Sequence, residues 1–118
     1  MNINEKFVNE LYLSIIKEGE KFYEDVFDDT DLDECDDEYW KDLFDLYRNL
    51  SNKEKSVLSK MIKHVQIDTI SYILGIIDGC VTVDNYPEIE PKLLLNKEDS
   101  NGDLQDIFLE LVEENERL

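Results

Sequence analysis

Apolar residues recur at three- and four-residue intervals in four long runs of this chain, and in one of them, Ser51 to Gly79, they occupy two faces instead of one. In its first half Val57, Leu58, Met61, Ile62 and Val65 form a single stripe, with Lys53, Lys55, Lys60 and Lys63 off it, the pattern of an amphipathic helix. In its second half Ile67, Ile70, Leu74 and Ile77 make one face and Thr69, Ile73 and Ile76 another, leaving a seam of Asp68, Ser71, Gly75 and Gly79. The run therefore predicts a central helix whose second half is enclosed on most sides. Ser51 and Glu54 supply a capping box at its start. At about 1.5 Å per residue it would span roughly 40 Å, more than a small domain hides, which predicts a bend or break near Gln66 or Gly75.

Three shorter runs flank it. From Asn4 to Phe27 the positions Phe7, Val8, Leu11, Tyr12, Ile15, Phe22, Tyr23 and Val26 keep helical spacing, with Asn2 and Glu5 as a capping pair and the aromatic stripe directed at the core. From Asp36 to Leu50 the apolar positions are Trp40, Leu43, Phe44, Tyr47 and Leu50. Trp40 lies on that stripe and reads as a core anchor, whereas Tyr39, one residue off, reads as an exposed aromatic. After Gly79, Cys80–Val83, a Pro-bounded turn at Asn85–Pro91 and Lys92–Leu95 predict a small antiparallel hairpin. A last helix follows with Leu104, Ile107, Phe108, Leu111 and Val112, capped by Asp99, Asn101 or Asp103. The expected fold is mainly α: a compact bundle of about four helices around a central long helix, with a small antiparallel β-hairpin before the last helix. A chain of 118 residues, 42% of them hydrophobic, has material for one core and is expected to form a single globular domain over 1–118.

Charge changes the picture from architecture to partners. The formal net charge is −18, which argues against direct binding of nucleic acid or of an anionic membrane and points to a basic protein partner. The acid is concentrated. Residues 28–45 hold ten carboxylates against Lys41, a balance of −9, and residues 98–118 hold eight against Arg117, a balance of −7. Between them residues 46–65 carry five cations against Glu54, a balance of +4. The first acidic pole supplies the candidate partner-binding residues Asp28, Asp29, Asp31, Asp33, Glu34, Asp36, Asp37, Glu38, Tyr39 and Asp42. The competing reading is that this acid only keeps the chain soluble. Two cysteines, Cys35 and Cys80, do not make a disulfide framework, and neither a secretory signal pattern nor a membrane-length apolar run is present. These features predict a soluble cytoplasmic protein, monomer or homodimer.

Candidate chemistry is sparse. Asp99, Asn101 and Asp103 with Glu110 imitate a calcium loop, but Leu104 stands where the sharp turn needs glycine. His64, the lone histidine, has no metal-ligand or catalytic spacing around it and reads as a surface residue. No enzyme activity, cofactor or metal is expected. Asp68, placed in the seam of the central helix, is the candidate buried polar site, because a carboxylate there needs hydrogen bonds or a counter-charge.

The segments Asp68-Thr69-Ile70 and Leu74-Gly75-Ile76-Ile77-Asp78-Gly79, taken with Asn101-Gly102-Asp103-Leu104-Gln105-Asp106, resemble small acidic bacterial proteins similar to the immunity proteins of polymorphic toxin systems. The resemblance implies a cytoplasmic inhibitor that binds and blocks a basic cognate toxin. Two alternatives remain open at this point: a phage-encoded mimic of nucleic-acid charge that inhibits a host defence or DNA-binding protein, and a small-ligand or calcium-responsive module.

Overall fold

The computed structural model describes residues 1–31 and 36–116. The chain is mainly helical. It begins with α1 (Ile3–Leu11), continues without interruption through a π-helical turn (Tyr12–Lys17) into α2 (Glu18–Asp29), and then forms α3 (Glu38–Arg48) and α4 (Asn52–Asp78). A two-stranded antiparallel hairpin, β1 (Leu94–Leu95) and β2 (Glu98–Asp99), precedes α5 (Leu104–Asn115).

Local chemistry fixes the helix ends. Asn2 accepts from the Glu5 N–H at 2.9 Å, and Ser51 and Glu54 bond reciprocally at 2.8 and 3.1 Å, the arrangement that satisfies two orphan donors at once. At the other end of α4 Gly79 adopts φ +81°, Cys80 N–H closes on the Gly75 carbonyl at 2.9 Å and Gly79 N–H on Ile76 at 3.1 Å. This is a Schellman stop, in which the left-handed position favours glycine. The helix between these caps is unbroken, so the expected break near Gln66 or Gly75 is absent. The helix need not fit inside the core: only its second half is packed there, and the first half extends past it, within a molecule 49 Å along its longest axis.

The core gathers Val8, Tyr12 and Ile16 from the first helical stretch, Ile67, Ile70 and Leu74 from α4, and Leu104 and Phe108 from α5. The seam of small residues on α4 receives α5. The Gln105 side-chain amide donates to the Ser71 carbonyl at 2.9 Å, and a Cβ at Gly75 would lie 2.7 Å from Gln105 Nε2 and 2.8 Å from Val81 Cγ2. Gly75→Ala is therefore expected to destabilise by about 1 kcal/mol, since overpacking of roughly 1–3 kcal/mol outweighs a helix-propensity gain near 1. Chemical denaturation checks it, and because Val81 Cγ2 presses on the same site, adding Gln105→Ala should recover only part of the loss. Wild-type stability in the single variant would show that the crossing has slack.

Several sequence expectations need correction. Asp68 is exposed on α4, not enclosed. The carboxylate at the α4–α5 junction is Asp78, whose Oδ2 accepts from the Gln105 backbone N–H at 2.7 Å. Asp103, the N-cap residue of α5, makes no side-chain cap bond, because its Oδ1 accepts from Asn4 at 2.7 Å instead. The dipole of α5 favours the Asp78 charge there. The hairpin begins three residues after Pro91, pairing Leu94–Leu95 with Glu98–Asp99, and not Cys80–Val83 with Lys92–Leu95. Asn96 and Lys97 both take positive φ, 51° and 72°, the pattern of a tight primed turn, and this places Leu94 opposite Asp99. On α4, Thr69 and Ile73 are exposed and Ile76 is half-buried, since α5 and the first stretch cover only the opposite side. Phe22 and Tyr23 are likewise exposed. The π turn carries an extra residue per turn, so the buried stripe of α1 does not continue in phase along α2.

Candidate functional site: an acidic face with exposed aromatic rings

The α2–α3 pair carries most of the sequence-predicted site. Phe27, near the C-terminus of α2, stacks on Tyr47 with centroids 4.6 Å apart and meets Phe44 edge-on at 5.9 Å. Arg48 in the last turn of α3 donates through Nε to the Phe27 carbonyl at 3.4 Å and through Nη2 to the Thr30 carbonyl. A guanidinium on the freed carbonyls of α2 satisfies them and complements the helix dipole. Burial, reinforced by the Asp28 and Glu24 charges, raises the Tyr47 pKa, so its ring stays a neutral stacking partner under Lys55, whose ammonium lies 4.8 Å from the ring centroid.

This clasp gives the acidic face its layout. Asp28, Asp29 and Asp31 lie at the α2 end, next to the C-terminus of α3, and all are exposed. Asp36, Asp37, Glu38, Tyr39 and Asp42 gather at the N-terminus of α3, also exposed, about 15 Å away along an eleven-residue helix. Asp37 caps that helix by accepting from Trp40 N–H at 3.2 Å. Asp33 and Glu34 lie outside the described residues, as does Cys35. The predicted pole is thus an elongated face with two clusters. Tyr39 is 67% exposed, as expected, but Trp40 is 39% exposed, contrary to its reading as a core anchor. It lies between Tyr39, 5.7 Å away and edge-on, and Phe44 at 5.8 Å.

A second constellation was not legible in the sequence. The Glu116 carboxylate, 7% exposed, accepts from Tyr12 OH at 2.5 Å and Lys17 Nζ at 2.7 Å, and pairs with Lys63 Nζ at 3.1 Å. Lys63 also reaches Glu20 at 3.3 Å. Burial opposes the Glu116 charge, but the bonds from Lys17, Tyr12 and Lys63 together outweigh it and hold the carboxyl at about 2. The bond to Glu116 raises the Lys17 pKa, and burial raises that of Tyr12. These shifts lead away from neutrality, the opposite of what a general acid or base needs. The cluster works as a latch joining the π turn, α2, α4 and the end of α5.

Beside the acidic face, a cleft of ≈ 490 Å³ separates α2 from the first half of α4. Glu20, Glu24 and Asp28 line one wall and Lys55, Lys60 and Lys63 the other. His64 and Cys80 are exposed. In the calcium-like stretch Asp99 accepts from the Asn101 N–H at 2.8 Å and Asp103 from Asn4, so both carboxylates serve turn and helix contacts. Among the described residues no group of three or more His, Cys, Asp or Glu side chains is placed to hold a metal, and no helix is long and apolar enough to cross a membrane. No family model, curated protein or solved structure matches the chain.

Proposed function

We propose that this protein is an inhibitory binding protein, an immunity protein of a bacterial toxin system, which acts in the cytoplasm by docking its acidic α2–α3 face on a basic cognate toxin and occluding the toxin's substrate-binding surface. It acts by binding and not by catalysis. The observation that carries this reading is the exposed Tyr39–Trp40 pair set among Asp36, Glu38 and Asp42. A coat of acid that only keeps a chain soluble needs no aromatic anchors, whereas interfaces concentrate their energy in Tyr, Trp and Arg surrounded by polar groups. The carboxylates supply attraction at a distance and the rings supply contact area once docked. The assignment to a toxin system is supported by the resemblance of Leu74–Gly79 and Asn101–Asp106 to immunity proteins.

The test is capture of the partner from the native cell, followed by calorimetry with the purified partner at low and physiological salt. Affinity should fall several-fold or more as salt rises, and Tyr39→Ala with Asp36→Asn and Asp42→Asn should weaken binding by about tenfold or more. An acidic partner, or equal binding by the triple variant, would sink the proposal.

A further inference from the structure

The outward side of α4 carries a row of side chains that the core does not use. Val57, Met61, Val65, Asp68 and Tyr72 follow one another at spacings of four, four, three and four residues, so they run along one side of the helix. Val57, Met61, Val65 and Tyr72 are 59, 57, 59 and 55% exposed. Single exposed apolar residues are ordinary on a protein surface. A straight row about 22 Å long on an unbroken helix, in a chain of net charge −18, is a surface awaiting a partner.

The charges beside the row identify that partner. Lys53, Lys60 and His64 flank its first half and are exposed. Its second half contains Asp68, and no lysine or arginine occurs between Lys63 and Lys92. On α4 itself residues 52–65 carry four lysines against Glu54, a balance of +3, and residues 66–78 carry Asp68 and Asp78, a balance of −2. The helix therefore changes sign near its middle, which is where it would complement a copy of itself running in the opposite direction.

We propose that the protein is a homodimer in which α4 packs antiparallel on α4 of a second copy, crossing near Val65. In that arrangement Val57 and Met61 of one copy face the Tyr72 end of the other, and Lys60 and His64 come opposite Asp68 of the second copy. Asp68, a carboxylate in the middle of an apolar row, thereby gains the counter-charge that burial requires. A parallel pair would set lysine against lysine. Most of the repulsive charge belongs to residues 28–45 and 98–118, outside α4, and flanking charges of this kind set orientation in helix pairs. The surface is distinct from the acidic α2–α3 face, so the dimer stands or falls independently of the proposed toxin.

Sedimentation equilibrium of the full chain across about 1–100 μM tests this. The expected mass is twice the 13.9 kDa of one chain. Met61→Glu with Val65→Glu should return it to one-chain mass with helical circular dichroism unchanged, since both positions are exposed. If that variant fails to fold, a charge exchange decides: Asp68→Lys alone should weaken the dimer by about tenfold, and adding Lys60→Glu with His64→Glu should restore it. A wild type at one-chain mass throughout overturns the proposal, whatever else proves to cover the row. So does a dimer indifferent to Met61→Glu with Val65→Glu, or an Asp68→Lys defect that the compensating changes leave in place.

Discussion

Glu116→Gln is expected to lower stability by about 3 kcal/mol at neutral pH, a fall in Tm of roughly 10 °C for a chain of this size. Removing one member of a buried ion pair costs about 3–5 kcal/mol because the remaining charge loses its partner. The lower end applies here, since Lys63 keeps Glu20 at 3.3 Å and Lys17 reaches water. The pH dependence follows from the same carboxyl. Its folded pKa is about 2 against an ordinary value of 4.5, so its contribution is fully present above about pH 4.5 and disappears as pH falls toward 2. A depression of that size corresponds to about 3 kcal/mol, in agreement with the pair-breaking figure. The stability gap between wild type and Glu116→Gln should therefore be widest near neutrality, narrow below about pH 4.5 and close only as pH falls to about 2. Denaturant unfolding of both proteins between pH 2 and 7 checks this, and a gap independent of pH would show that the carboxylate charge is not what the latch uses.

The latch also marks the boundary of what the sequence discloses. Caps are local chemistry, so Asn2 with Glu5, Ser51 with Glu54 and Gly79 are legible from neighbouring residues, and the helices fall where periodicity puts them. Periodicity says which residues share a face, but not whether another element covers that face. Periodicity alone puts Trp40, Phe22 and Ile73 in the interior, and all three are exposed. Asp68 and Asp78 show the same gap from the polar side: the α4 seam is real at Ser71 and Gly75, but the carboxylate used there is the one beside the α5 N-terminus. The π turn has no signature in Tyr12-Leu-Ser-Ile-Ile-Lys17, which reads as ordinary helix. Glu116 meets Tyr12 across 104 residues and Lys63 across 53, separations on which local pattern is silent. For the acidic face, the sequence located the carboxylates and Tyr39, but the clasp of Phe27, Tyr47 and Arg48 that spreads them into two clusters belongs to the tertiary structure.

Phe108→Ala is expected to cost about 3–5 kcal/mol and to lower the stability of the whole core, whereas Phe44→Ala should act locally. Phe108 is fully buried in the cluster that joins α1, the π turn, α4 and α5, and α5 packs on both α4 and α1, so truncating it opens a cavity in the shared core. Phe44 is also buried, but its ring neighbours are Phe27 and the half-exposed Trp40, and the main neighbour of α3 is α2. Removing Phe44 leaves the clasp with Tyr47 and Arg48 and should let α3 open as a unit of low local stability. Hydrogen exchange separates the two outcomes. In Phe108→Ala the amides of α1, α4 and α5 should lose protection together. In Phe44→Ala protection should fall in α3 and in the C-terminal turn of α2, with the second half of α4 unchanged. If the acidic face is the docking surface, Phe44→Ala weakens partner binding without a matching loss of core stability, because the carboxylates and the Tyr39–Trp40 pair depend on α3 for their spacing. Global loss of protection in Phe44→Ala would mean that the α2–α3 clasp and the core unfold as one, and binding could then not be weakened through α3 alone.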